Sequence, residues 1–134
     1  MATLVIKNIG KIVSGDIPSQ KVYENDDLYV FDDINPEAPV HCLIIPKKHY
    51  ASLNDAVPAG ILAEMLAAAP RVAEMKGIHD SGYRCVINTG DDVNQMVHHF
   101  HLHVLGGEFL GSYTRCVPLD FIPASFTSYR KNTT

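Results

Sequence analysis

The chain has 134 residues, 46% of them hydrophobic and 19% charged, with a formal net charge of −4 at pH 7. That length predicts one domain, large enough to bury a core without disulfides or a structural metal. The acidic balance excludes broad nucleic-acid binding, which needs a basic footprint, but leaves room for one small anion in a local pocket.

No apolar run approaches the ~20 residues of a membrane span. The opening "MATLVIKNIG" has no apolar stretch long enough for a secretory signal. Cys42, Cys85 and Cys116 are scattered and form no CxxC pair. They read as free thiols in a reducing compartment, so the expected location is the cytoplasm.

In chain order, residues 8–15 ("NIGKIVSG") predict a short helix or turn. "KVYENDDLYVFDD" predicts a hairpin, with Val22–Glu24 and Leu28–Phe31 as strands around a turn at Asn25–Asp27. "VHCLIIP" predicts a third strand stopped by Pro46. The main helix follows, capped by Asn54 or Asp55, with Pro58 in its first turn and Gly77 as its stop. Ile61, Leu62, Met65, Leu66 and Ala69 recur at helical spacing and mark its buried face. Pro70 predicts a kink or a split, because an interior proline costs ~3 kcal/mol. "YRCVIN" predicts a fourth strand and "HHFHLHVL" a fifth, ended by Gly106 and Gly107. This order predicts an α+β domain, with the helix laid on one face of an antiparallel sheet. Residues 111–134 form an extension of unassigned role beyond a domain spanning 1–110.

The fifth strand carries the chemistry. His99, His101 and His103 alternate and would share one face, roughly 7 Å apart, while Phe100, Leu102 and Val104 face the helix. Three imidazoles in alternation are costly unless each has hydrogen-bond partners, which points to a site. Two readings stay open on the residues alone. His-x-His on a strand can hold zinc or iron, although no HExxH pattern accompanies it. A neutral imidazole is also a good nucleophile toward phosphorus at pH 7, with neighbouring histidines moving protons.

"HFHLHVL" at 99–105 matches, at every position, the motif of the histidine triad (HIT) family, His-φ-His-φ-His-φ-φ with φ apolar. "KIVSGDIPSQKVYENDD", "VFDDINPEAPVHCLIIPKKH" and "HFHLHVLGG" resemble that family's nucleotide-binding, phosphoramidase-type branch. The resemblance implies a five-stranded antiparallel sheet with a long helix, and a homodimer that joins two sheets into ten strands. It implies hydrolysis of purine nucleoside phosphoramidates, with His101 as the nucleophile forming a nucleotidyl-imidazole. His103 would contact the phosphate oxygens, His99 would fix the nucleophile's tautomer, and His41 would support the triad. Asp33 would accept from the ribose hydroxyls, with Ile34 and Phe31 walling the base. Asn88, with Asn94, Gln95 and Met96, would lie on the phosphate side. No cofactor is implied.

The chain departs from the resemblance in two places. Where the branch carries Gly-Gly-Gln-Ser or similar before the triad, this chain has "VNQM", so Val93 and Asn94 replace glycines and Met96 replaces a hydroxyl residue. Reduced or shifted activity is therefore an expectation. "NIGKI" stands where some relatives carry a zinc-binding cysteine, so no structural zinc is expected. The rival readings are a nucleotide-binding regulatory module with weak catalysis, a dinucleoside polyphosphate hydrolase and a metal-dependent hydrolase. His98 reads as a bystander facing away from the triad, and Lys47, Lys48 and His49 as a solvated basic turn.

Overall fold

A computed structural model describes residues 19–95 and 97–112. The expected helix at 8–15, Met96 and the stretch 113–134 lie outside the described residues. The predicted hairpin is present as β1 (Lys21–Glu24) and β2 (Leu28–Asp32). Asn25 makes its turn: its side-chain oxygen accepts the backbone N–H groups of Asp27 and Leu28 at 2.9 and 2.8 Å, an Asx turn. β3 (Val40–Pro46) occupies the predicted residues. Then come α1 (Ala59–Met75), β4 (Tyr83–Val86), a 3₁₀ turn (Asp91–Val93) and β5 (Leu102–Gly106).

Among the described residues the five strands form one sheet in the order β1-β2-β3-β5-β4, antiparallel at every pairing. β5 inserts between β3 and β4, so the end of the histidine motif, with His103, enters the interior of the sheet. The predicted α+β architecture, one main helix on one face, is present.

Side-chain alternation divides that sheet into two environments. On the helix side, Leu28, Val30, Cys42, Ile44, Leu102 and Val104 pack with Met65, Ala68, Ala69, Val72 and Ala73 of α1 and with Phe100. Each large aliphatic side chain buried there contributes about 1.5–3 kcal/mol. On the opposite side, Tyr29, Phe31, Leu43 and Ile45 form a smaller apolar floor with Val97. The histidines rise beside this floor.

The helix corrects three expectations. It is not split: its 17 residues run through Pro70. The carbonyl that loses its partner to the proline belongs to Leu66, which is exposed rather than part of the buried face. Met65 and Ala69 are buried as expected and Ile61 and Leu62 pack half-buried against the core, while Ala68, Val72 and Ala73 complete the buried stripe, its small alanines suited to close packing on the sheet. Neither Asn54 nor Asp55 caps the helix, which starts after Pro58 without a side-chain cap. Asp55 instead accepts the N–H of Ala51 within the preceding turn. Gly77 does stop the helix. It has φ +74°, and the bonds Gly77 N–H to Glu74 and Ile78 N–H to Ala73 complete a Schellman ending.

Two strands are shorter than expected. β4 ends at Val86, two residues before Asn88. β5 starts at Leu102 rather than His98. The register pairs Ile44 with Leu102, so one more ladder step would set Phe100 opposite Pro46. Proline has no N–H to give, and the ladder stops there. The N–H of Phe100 goes instead to the carbonyl of Tyr50.

Candidate active site

His41 lies on β3 and His103 on β5. The register pairs His41 with Leu105 and Leu43 with His103, which puts the two imidazoles diagonally on one face. The backbone N–H of Glu37 donates to His41 Nδ1 at 3.0 Å. That fixes the tautomer: Nδ1 carries the lone pair and Nε2 the proton. His41 Nε2 lies 2.8 Å from His103 Nδ1 and 3.4 Å from Asp33 Oδ2. His41 therefore donates to His103, whose own proton must sit on Nε2. The relay ends in the N–H donor His103 Nε2, whose tautomer is set through His41 by the backbone N–H of Glu37.

Burial keeps this relay neutral. It pushes the His103 imidazole down to about 3, with the neighbouring His101 and His41 adding to the effect. Burial also lowers His41, against the pull of the Asp33 and Glu37 carboxylates. Asp33 accepts the N–H of Asn35 through Oδ1, and its own N–H donates to the carbonyl of His41, so the residue is anchored beside the relay.

His99 and His101 precede β5 and are held by other means. His99 Nε2 donates to the carbonyl of Pro46 at 2.9 Å, the group the ladder left unused. Burial holds His99 below the ordinary imidazole range, so it is neutral. His101 Nδ1 donates to the backbone carbonyl of His99 at 2.7 Å. With its proton committed there, His101 presents Nε2 as a lone pair. The His101 and His103 rings meet nearly edge to face, with centroids 4.8 Å apart. The triad thus combines one imidazole with a free lone pair and one with a free N–H.

The other expected site residues occupy varied settings. Phe31 is buried in the floor beneath the histidines, while Ile34 is 61% exposed. Asn88 is half-buried just past β4. Asn94 has φ +59°, the left-handed backbone that glycine and asparagine tolerate best, which explains how it can stand in place of a glycine. Gln95 is buried, and its amide is fully used: Oε1 accepts the N–H of Gly90, and Nε2 donates to the carbonyls of Ala51 and Val97. The backbone N–H groups of Asn94 and Gln95 also stay within the loop, bound to Asp91 and Gly90.

His49, which the sequence places in a solvated basic turn, meets the motif. Its Nδ1 lies 3.0 Å from His99 Nδ1. "IPKKH" is part of the resemblance, but nothing in residue spacing shows that a histidine 50 positions upstream meets the motif. Lys47 pairs with Glu24 at 2.8 Å and Lys48 lies over the Tyr50 ring. His98 is exposed. Of the thiols, Cys42 lies on the helix side of the sheet, where burial and the Asp32 carboxylate push it up to about 12, too high for a nucleophile.

Asp33, His41 and His103 offer three ligand atoms within 4.8 Å of one another. Two imidazole nitrogens on one tetrahedral zinc would stand about 3.3 Å apart, given bonds of ~2.0–2.1 Å. The observed 2.8 Å fits a shared proton better than a shared metal.

A profile of the HIT domain matches residues 14–110. Purine nucleoside phosphoramidase of Escherichia coli (strain K12) is 43% identical over 103 residues, covering 75% of this chain and 87% of that protein. The solved HIT family hydrolase from Clostridium thermocellum matches with a TM-score of 0.75 at 42% identity, covering 78% of this chain and 92% of that one. The histidine triad nucleotide-binding protein from Candida albicans matches at 0.67 and 27% identity, covering 92% and 94%. With its motif, its sheet and these relatives in agreement, the chain belongs to the HIT family, alongside its phosphoramidase-type members.

Proposed function

We propose that this protein is a nucleotidyl-transferring hydrolase of purine nucleoside phosphoramidates, with His101 Nε2 as the nucleophile. The observation that carries this reading is the 2.7 Å bond from His101 Nδ1 to the carbonyl of His99, which leaves Nε2 unprotonated and available. Attack on phosphorus forms an N–P bond to His101, and the phosphorus–amine bond breaks. The amine leaves with the electron pair and takes up a proton from solvent, which the attacking water later returns. The His99 carbonyl steadies the positive charge that develops on the ring. His103 Nε2–H, set by the His41 relay, donates to a phosphate oxygen in the transition state. Water then attacks phosphorus, restores His101 and releases the mononucleotide.

Asp33 serves as the acceptor for the ribose hydroxyls, since a carboxylate has about four acceptor positions and the contacts above use two. Phe31 and Ile34 flank the base, and Asn88, Asn94, Gln95 and Met96 shape the phosphate side. Two copies join edge to edge into a ten-stranded sheet, for which β1 and β4 are the edge strands among the described residues; sedimentation at micromolar concentration tests this. The free thiols Cys42 and Cys85 suit the reducing cytoplasm.

The test is His101→Ala assayed on adenosine 5′-phosphoramidate. Turnover is expected to vanish, and an undiminished rate would sink the mechanism. A nucleotide-binding module with slow turnover is the second reading. It is favoured by the Asn94 and Gln95 N–H groups, which are bound within the loop rather than aimed at a phosphate. Calorimetry with AMP beside a turnover assay separates the two.

A further inference from the structure

His101 owes its orientation to the carbonyl of His99, and that carbonyl lies outside the sheet, where no strand ladder holds it. The segment is held by the last residue of β3 and the chain that follows it. The Pro46 carbonyl accepts from His99 Nε2, the Tyr50 carbonyl accepts from the N–H of Phe100, and His49 meets His99 Nδ1. Donor and acceptor roles in this group are determined. A carbonyl can only accept, so His99 Nε2 must carry the proton and, in the neutral ring, Nδ1 the lone pair. His49 Nδ1 must then be the donor across the 3.0 Å contact. His99 is buried, so an unanswered Nδ1 there would cost the ring its fixed position.

We infer that His49 is a positioning residue for the reaction: by donating Nδ1–H to His99 Nδ1, it fixes the His99 ring and with it the carbonyl that aims the nucleophile His101. This inference rests on the proposed role of His101. His49 touches no reacting atom in this scheme. A small misplacement of a catalytic group can cost as much as ~10²-fold, so the loss is expected in kcat, with KM little changed.

The side-chain amide of asparagine can place an N–H where histidine has Nδ1, whereas glutamine places it one bond farther out. The test compares His49→Ala, His49→Asn and His49→Gln in the full chain, with His101→Ala alongside, on adenosine 5′-phosphoramidate. His49→Ala and His49→Gln should lose about 10–10²-fold in kcat, with KM within a few-fold, and His49→Asn should recover most of it. Far-ultraviolet circular dichroism checks that each variant folds, as the exposure of His49 leads one to expect. Wild-type kcat in His49→Ala, beside an inactive His101→Ala, overturns the role of His49 and leaves that of His101 standing. Equal losses in the alanine and asparagine variants also overturn it, because the donated hydrogen bond is then not what matters. Full turnover by His101→Ala overturns the nucleophile assignment, and the role of His49 falls with it.

Discussion

His41 and His103 stand on paired strands, whereas His99 and His101 stand just before the ladder begins. The first pair is carried by β3 and β5 and takes its tautomer from the N–H of Glu37. The second pair is carried by side-chain and carbonyl bonds to the Pro46–Tyr50 segment. In the proposed mechanism the fixed donor therefore sits on the rigid sheet. The proposed nucleophile sits at its end, where the backbone is free to turn its carbonyl toward the ring. One proline sets the boundary, because β3 has no N–H to offer at Pro46.

The comparison can be broken most decisively at His101. His101→Ala should cost more than the ~10⁴-fold at the upper end of proton-transfer effects. Next, His41→Ala and His103→Ala should each reduce kcat by ~10²–10⁴-fold, because they remove the donor relay but leave the nucleophile. If either equals His101→Ala, the division between donor pair and attacking pair fails.

Acid sharpens the contrast through stability. The unfolded His103 takes up its proton near 6.5, while the folded one resists down to about 3. Between those values the unfolded chain binds more protons, so stability is full above pH 6.5 and falls as pH is lowered. The slope is about 1.4 kcal/mol per pH unit for this residue, or roughly 2 kcal/mol lost by pH 5. His41 and His99 shift in the same direction and steepen the fall. Urea unfolding at pH 7.5 and pH 5 reads it, and His103→Asn should flatten the profile. The smallest effect is expected at the loop: Gln95→Ala removes the half-buried bonds to Gly90 N–H and to two carbonyls and should cost about 1 kcal/mol in the same assay.

The strands of the hairpin and β3 were legible because apolar runs, the Asn25–Asp27 turn and Pro46 bound them locally. The division of Phe100, Leu102 and Val104 from the histidines was legible for the same reason: it is a matter of alternation. The start of β5 was not legible, because it depends on which residue β3 presents opposite Phe100. Leu66 and Pro70 misled the reading of the helix, since spacing gives a stripe's period but the sheet chooses which part of it to cover.

By itself, the sequence determined that this chain forms an α+β domain with a histidine motif of the HIT family at its last strand, because periodicity and motif spacing are local properties. Only the tertiary structure decided which nitrogen of each histidine bears a proton. His41 meets His103 across 62 positions, His99 meets Pro46 across 53 and His49 meets His99 across 50. A tautomer is set by the partner an imidazole finds, and here the partners come together only when β5 takes its place beside β3.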